Sequence, residues 1–311
     1  MKKQIGYILL LTALLTGCGN GNPKQNGKTM PPVFPRVEAP VTMTDPKITA
    51  NYFAEHYWDK FDFRDTLFLT HPDVLEQALV DYVVVLPYAD IDQARKSISR
   101  LIGQTRADTA MFRFFREKTE HYLWDPNSPY RNEELYIPVL ETMLASDELD
   151  MATRARAEYR LATALKNRPG TVATDFMFAL ESGQKRKMSQ IQAEYLLLFF
   201  NNPECSTCAE IIAHIQNSPL MNALQRDERL TVLAVYTDED LPKWRSYQTH
   251  MPAEWINSYN PDSVIKNEKL YDLKAIPSLY LLDADKTILL KDADIRVIEA
   301  YLQENALKTK P

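Results

Sequence analysis

The chain has 311 residues, of which 45% are hydrophobic, 25% charged and 10% aromatic, and its formal net charge is −6. This composition is typical of a soluble globular protein with one large or two ordinary domains, and it excludes a disordered chain and a polytopic membrane protein. The excess of acidic over basic residues gives no indication of the positive charge that nucleic-acid binding requires. The chain has three cysteines, Cys18, Cys205 and Cys208. This small, odd number excludes a fold held together mainly by disulfide bonds.

The N-terminus has the pattern of a secretory signal. Two lysines precede an apolar run over residues 5–15, which is shorter than the roughly 20 residues that a membrane-spanning helix needs. The sequence Leu15-Thr16-Gly17-Cys18 resembles a bacterial lipobox, which implies cleavage of residues 1–17 and lipid on Cys18. Cleavage would take the net charge from −6 to −8, so the lipid and not charge would make the membrane contact. The alternative is an ordinary cleaved signal with an incidental cysteine.

Residues 18–168 divide into a linker and a helical region. Residues 18–45 are rich in Gly, Asn, Pro and Thr and lack periodicity, which predicts a flexible tether behind the lipidated cysteine. Residues 46–168 carry apolar side chains at helical spacing, which predicts five or six helices in a compact all-α domain. A dense aromatic run over residues 52–68 is either a core helix or a docking surface for a partner, and the core interpretation is favoured.

At Gly170 the pattern changes to that of an α/β domain, which we assign to residues 169–311. Two short strands are predicted around a turn at Gly183. Four more strands are predicted over residues 195–200, 230–236, 279–282 and 287–290. Amphipathic helices are predicted from Ser206 and over residues 295–302. A strand–helix–strand unit followed by a hairpin and a helix indicates a mixed α/β sheet.

The segment from 238 to 274 is long for a connection between two strands and is rich in aromatic residues, including Trp244, Trp255 and Tyr271. These side chains either form a rim that selects a substrate or pack locally within an insertion. Local packing is the favoured interpretation.

Cys205-Ser206-Thr207-Cys208 is the one group of residues with clear chemical content. It follows a buried strand and begins a helix, where free N–H groups and the helix dipole favour a thiolate. The pair can close a disulfide, with Cys205 attacking a substrate disulfide and Cys208 resolving the mixed disulfide. Zinc binding would need two further ligands. A peroxidase would need Thr or Ser three residues before the reactive cysteine, where Cys205 has Asn202.

One segment resembles the active-site segment of the thioredoxin superfamily. It consists of Leu198-Phe199-Phe200, four further residues and then the Cys-x-x-Cys motif. The stretch from Ile276-Pro277 to Asp283 resembles its second landmark, the cis-proline loop. Residues 173–198 resemble the front hairpin of membrane-tethered TlpA/ResA-type thiol:disulfide oxidoreductases. The resemblance covers about residues 170–305 and implies that Pro277 is cis and faces the cysteines, that Ile276 presents backbone groups to substrate, and that no cofactor is needed.

The chain departs from this family pattern at three places. Glu204 stands where the family has Trp or another bulky residue, and its carboxylate would raise the pKa of Cys205. Ser206-Thr207 replaces the common pairs between the cysteines. The usual glycine after the last hairpin is absent, and residues 291–294 read Lys-Asp-Ala-Asp. We therefore expect a reducing or isomerising role and not a strong oxidant.

The whole chain, with a helical domain ahead of such a module, also resembles secreted redox lipoproteins of Bacteroidota. This resemblance implies a lipid-anchored, periplasm-facing enzyme that exchanges disulfides on other proteins and receives electrons from an upstream thiol donor. No acidic residue lies between Cys18 and Glu38, which by analogy favours the outer membrane. The alternative is a redox-silent scaffold in which the helical domain recognises a partner.

Overall fold

The computed structural model describes residues 31–147 and 149–306, so the predicted signal sequence and lipidation site at Cys18 lie outside the described residues. Six helices occupy the first part: α1 (Pro46–His56), α2 (Pro72–Val85), α3 (Ile91–Thr105), α4 (Thr109–Leu123), α5 (Glu133–Leu144) and α6 (Met151–Ala164). This is the predicted all-α region. Across the described ranges, no helix combines the length and apolarity needed to cross a membrane.

Side-chain caps set the start of most of these helices. Asp45, Asp108, Asn132 and Asp150 each accept hydrogen bonds from backbone N–H groups in the first turn that follows. These N–H groups have no partner inside a helix, so the caps fix where each helix begins. Pro72 begins α2, where its missing N–H costs nothing.

The aromatic run over residues 52–68 forms the core of the helical domain. Trp58 is buried at its centre, surrounded by rings from several elements: Phe34, Tyr57, Phe61, Phe63, Tyr82 and Phe115. Most of these pairs meet edge to face, the geometry that aromatic quadrupoles prefer. The structure therefore supports the core interpretation over a docking surface.

Phe34 corrects the predicted extent of the tether. Its side chain is buried, and its ring stacks on Tyr57 and Phe61. Lys60 Nζ also donates a hydrogen bond to the carbonyl of Arg36. The chain around Phe34 is therefore packed on the helical domain, where the sequence predicted a tether, because burying this ring against the core offsets the entropy of ordering the chain.

The second part is a seven-stranded mixed sheet with helices. Its elements are β1 (Met177–Ala179), β2 (Lys185–Lys187), β3 (Tyr195–Asn201), α7 (Ser206–Asn217), α8 (Pro219–Arg226), β4 (Leu230–Tyr236), α9 (Leu241–Tyr247), β5 (Ile256–Tyr259), α10 (Val264–Asn267), β6 (Ser278–Leu282), β7 (Ile288–Lys291) and α11 (Ile295–Asn305). The strand order is β2-β1-β5-β4-β3-β6-β7. Strands β3, β4 and β5 are parallel to one another, and the other pairings are antiparallel. The predicted thioredoxin-like α/β fold behind a helical domain is confirmed.

The sequence analysis placed the front hairpin and the central strands but missed three elements. Helix α8, strand β5 and helix α10 have no counterpart in the prediction. Strand β5 and helix α10 lie in the segment from 238 to 274, which was interpreted as an aromatic insertion. The hairpin strands are only three residues each, and Gly183 takes a φ of +84° at their turn.

Strand β3 is buried on both faces, which explains its continuous apolar sequence. Leu197 and Phe199 face a cluster with α7, α8 and α11. Leu198 and Phe200 face the opposite cluster, which includes Phe176 and other residues from the front segment and from around α10. Packing on both faces therefore fixes the position of the end of β3, and Cys205 follows four residues after Asn201.

Candidate active site

The two cysteines lie at the N-terminus of α7. Cys205 is the N-cap residue, and its Sγ accepts a hydrogen bond from the backbone N–H of Cys208 at 3.0 Å. The two Sγ atoms are joined in a disulfide. Cys205 is partly exposed, whereas Cys208 is 1% exposed and belongs to the core. The N–H groups and the positive end of the helix dipole at this position stabilise negative charge on Cys205 once the disulfide is reduced.

Strand register brings the proline loop to the cysteines. Phe200, near the end of β3, pairs with Ser278 at the start of β6, so Pro277 lies beside the point where the chain leaves β3. The Ile276–Pro277 peptide bond is cis. The Sγ of Cys205 lies 3.7 Å from the carbonyl oxygen of Ile276. The four predicted site residues of this domain therefore meet at one edge of the sheet, while their catalytic roles stay predictions.

The connection between β3 and α7 carries the acidic residue that departs from the family pattern. Glu204 is exposed, with 76% of its side chain accessible, and Lys243 of α9 pairs with it at 2.5 Å. Asn202 donates a hydrogen bond to Asp238, which fixes the same connection from its other side. The cation of Lys243 offsets the carboxylate beside Cys205, so the electrostatic penalty expected from Glu204 is reduced.

We expect this ion pair to tune the reactivity of Cys205. Glu204→Gln should move the pH midpoint of Cys205 alkylation down, and Lys243→Gln should move it up, each by roughly half a unit because the pair is exposed. The measurement is the pH dependence of iodoacetamide modification of the reduced protein. Lys266→Gln, which breaks the Lys266–Asp238 pair at 3.7 Å, is the control. Midpoints that do not move in either variant would show that the pair is electrostatically irrelevant to the thiol.

Asp292 lies within residues 291–294, the stretch in which the family pattern would have a glycine. Its φ is +48°, in the left-handed region that glycine adopts freely. The side chain turns inward, where its Oδ1 accepts a hydrogen bond from Ser278 Oγ at 3.0 Å and its Oδ2 pairs with Arg131 at 2.7 Å. Arg131 also donates to the carbonyl of Asp292 at 3.1 Å. Burial raises the pKa of Asp292, and Arg131 and Ser278 oppose that effect.

Glu133, the first residue of α5, joins the helical domain to two segments of the α/β domain. Its carboxylate oxygens pair with Lys274 Nζ at 2.7 Å and Lys291 Nζ at 2.8 Å. Lys274 also pairs with Asp272 at 2.7 Å, and its Nζ lies 3.5 Å from the ring centroid of Trp124. Burial alone would raise the pKa of Glu133, but Lys291 and Lys274 together hold it below its ordinary value.

These contacts bind both loops that border the cysteines. Lys274 is three residues before Pro277, and Lys291 immediately precedes Asp292. Arg131 and Glu133 hold these loops from the helical domain. Arg131 and Glu133 were not identified from the sequence, because their partners lie 141 to 161 positions away and no local pattern marks such contacts.

Other residues considered as candidates have structural partners. His214, which lies on the helix that follows the cysteines, pairs through Nε2 with Glu299 at 2.8 Å. Over residues 31–147 and 149–306, no three His, Cys, Asp or Glu side chains are grouped so that they could hold a metal ion. Trp244, Trp255 and Tyr271 are buried, which favours local packing over an aromatic substrate rim.

Comparisons with known proteins agree with this architecture. A family model described as a domain of unknown function, DUF5106, matches residues 17–167. A crystal structure of a thioredoxin-like protein from Bacteroides caccae ATCC 43185 is 43% identical with a TM-score of 0.84, and the alignment covers 88% of this chain and 98% of that one. No curated protein matches the chain.

Two further solved structures from Bacteroides fragilis cover less of the chain. One is the C-terminal domain of an uncharacterized protein, 48% identical over 44% of this chain and 98% of its own, with a TM-score of 0.43. The other is a conserved protein of unknown function, 34% identical over 43% of this chain and 98% of its own, with a TM-score of 0.43.

The chain is a thioredoxin-like protein. More particularly, it belongs to the family of the B. caccae protein, since the similarity extends over nearly the whole of both chains. The resemblance to the thioredoxin superfamily is confirmed.

Proposed function

We propose that this protein reduces or isomerises disulfide bonds in other proteins by thiol–disulfide exchange through Cys205 and Cys208. One observation carries the proposal. A partly exposed Cys205 at a helix N-terminus is joined to a buried Cys208 and lies 3.7 Å from the backbone carbonyl that precedes a cis-proline. An accessible thiol beside backbone groups that can receive a polypeptide is the arrangement that such exchange requires.

The exchange proceeds in two displacements. In the reduced protein, the Cys205 thiolate attacks one sulfur of a substrate disulfide, and the other substrate sulfur leaves as a thiolate that takes up a proton. Cys208 then loses its proton and attacks Cys205 Sγ, which releases the second substrate thiol and closes the Cys205–Cys208 disulfide. Two electrons pass to the substrate, and an upstream thiol donor returns the pair to the dithiol. For isomerisation, a substrate thiol displaces Cys205 before Cys208 reacts.

We further propose that the protein is attached by lipid at Cys18 and faces the periplasm, with the outer membrane favoured. The support is the lipobox-like sequence before Cys18 and the short apolar run ahead of it. Cys18→Ala should move the protein from the membrane fraction to the soluble fraction and abolish labelling with a radioactive fatty acid. Retention of the label in this variant would contradict the assignment.

The function is tested by trapping substrates with Cys208→Ser, which leaves Cys205 able to form a mixed disulfide that nothing resolves. Cys205→Ser in the same cells is the matched control. Mixed disulfides recovered only with Cys208→Ser support the proposal, and an empty trap favours a redox-silent scaffold. The direction is tested by titration with glutathione. A midpoint potential more positive than the roughly −180 mV of protein disulfide isomerase would rule out a reducing or isomerising role.

A further inference from the structure

A chain of side-chain contacts connects the helical domain to the proline loop. Arg131, which lies between α4 and α5, contacts Asp292 through Nη2, at 2.7 Å from Oδ2 and 3.1 Å from the main-chain carbonyl oxygen. Asp292 Oδ1 in turn accepts a hydrogen bond from Ser278 Oγ at 3.0 Å. Ser278 directly follows the cis-proline, and the carbonyl oxygen of Ile276 before that proline lies 3.7 Å from Cys205 Sγ. One arginine of the helical domain therefore reaches the loop beside Cys205 through two side chains.

The carboxylate of Asp292 needs the cation of Arg131. Its side chain is 12% exposed, and an ionised carboxylate out of water is costly unless a charge and hydrogen bonds compensate it. The α/β domain supplies the neutral hydroxyl of Ser278. Within residues 31–147 and 149–306, the cation that forms an ion pair with Asp292 is Arg131 of the helical domain. The two domains therefore each provide one half of the environment that this carboxylate requires.

The Arg131 contact holds a different part of the site from the Glu133 ion pairs. Glu133 pairs with Lys274, three residues before the proline, and with Lys291, one residue before Asp292. These pairs fix the segments that lead towards the site. Arg131 instead acts on the carboxylate that accepts the hydrogen bond of the residue after the proline. Its effect is therefore on the proline loop itself.

We propose that Arg131 is a positioning residue of the redox site. It holds Asp292 and, through Ser278, the proline loop in the geometry that thiol–disulfide exchange requires. This assignment rests on the proposed function and gives the helical domain a part in it. A hydrogen bond to an ionised carboxylate is stronger than one between neutral groups, and a small displacement of a positioning group is costly when reacting atoms must be aligned.

The contact depends on the protonation state of Asp292. Burial raises the pKa of Asp292, and Arg131 is the largest of the effects that favour its ionised form. Other charged or titratable side chains act on Asp292 or line the cleft beside it: Glu133, Lys274, Tyr280, Glu210, His214, Asp294 and Arg296. Removal of Arg131 lets Asp292 take up a proton at higher pH, and the neutral carboxyl is a weaker acceptor for Ser278.

The test measures two rates of the reduced full chain over about pH 5–8. One is single-turnover exchange with a synthetic disulfide-bonded peptide, and the other is alkylation of Cys205 by iodoacetamide. Both need the thiolate, but alkylation does not use the proline loop, so the ratio of the two rates isolates positioning. The variants are Arg131→Met, Arg131→Gln, Arg131→Lys and the double variant Arg131→Met/Asp292→Asn. Lys118→Met, which removes a cation paired with Glu76 at 2.6 Å elsewhere on the helical domain, is the matched control.

We expect Arg131→Met and Arg131→Gln to lower the ratio about tenfold at neutral pH and to move its fall on the acid side up by about one pH unit. Arg131→Lys should restore the ratio to within about threefold of the original protein, because it keeps the charge but not the planar guanidinium. The double variant should lose the shift on the acid side, because asparagine does not titrate. Lys118→Met should leave the ratio unchanged.

Three results would overturn the role of Arg131. They are a ratio that neither neutral variant lowers, a parallel fall in exchange and alkylation, and a shift on the acid side that persists with Asp292→Asn. Failure of the proposed function gives a different result. In that case the unaltered protein is alkylated at Cys205 but does not exchange with the peptide disulfide.

Discussion

Cys205→Ser should abolish disulfide reduction, with a loss on the order of 10³-fold or more in the rate with a protein disulfide. A serine hydroxyl does not ionise near neutral pH, so the first displacement has no nucleophile. Cys208 cannot replace it, because its side chain is 1% exposed and packs with Ile211 and Ile212 beneath the helix. The rate is measured by the reduction of insulin with dithiothreitol as the reductant.

Cys208→Ser should behave differently in the same assay. Its Cys205 thiolate still attacks, so we expect a single stoichiometric reaction that ends at the mixed disulfide, followed by slow release by dithiothreitol. The contrast between one turnover and none separates the two roles, and neither serine should disturb the fold because the volume change is small. Equal residual activity in the two variants would contradict the assignment of Cys205 as the attacking thiol.

The part of the site that the sequence predicted is the part that local structure determines. A strand, a short connection and a helix N-terminus fix where Cys205 and Cys208 lie, and these signals stand within about a dozen residues. Pro277 could be placed opposite them only through the family resemblance. The physical reason is the pairing of Phe200 with Ser278, and no rule applied to one sequence yields a strand register across 78 positions.

The contacts that the helical domain makes near the cysteines could not be predicted from the sequence. Its fold follows from helical periodicity and caps, but its position relative to the cysteine pair depends on Arg131 and Glu133, which look in the sequence like ordinary surface charges. The sequence shows that residues 291–294 lack the family glycine, but it does not show which contacts these residues make. In that stretch Asp292 takes a positive φ and pairs with Arg131 of the helical domain, so the segment that departs from the family pattern is held by a residue of the other domain.

Glu133→Gln should lower the free energy of unfolding by about 3 kcal/mol, because removing one member of a buried ion-pair group leaves charges that are poorly solvated. Lys291 is the more affected partner, since its side chain is 6% exposed. It keeps hydrogen bonds only to the carbonyls of Ala164 and Lys166, at 3.1 and 2.7 Å. Lys274 is less affected, because Asp272 and the face of Trp124 remain. The measurement is urea denaturation at neutral pH.

The pH dependence of this loss has a defined sign. The pKa of Glu133 in the folded protein lies below its ordinary value of 4.5, so its stabilising effect is fully present above that value. It is lost as the pH falls through the folded-state pKa, where the carboxyl takes up a proton and no longer pairs with the lysines. Glutamine does not titrate. The difference in stability between the original protein and Glu133→Gln should therefore shrink as the pH falls below about 4.5.

A double-mutant cycle with Lys291→Met separates the ion pair from a general effect of altering α5. With the lysine absent, Glu133→Gln should cost clearly less than in the original protein, because fewer buried charges are left without a partner. Lys47→Gln, which breaks an exposed pair with Asp90, should leave the unfolding midpoint unchanged. Equal losses with and without Lys291 would mean that the carboxylate does not act through this pair. If the cycle behaves as expected, the same variants should also reduce exchange with protein substrates. Lys291 precedes Asp292 and Lys274 precedes the proline loop. Weakening the Glu133 ion pairs would therefore loosen both segments beside the cysteines.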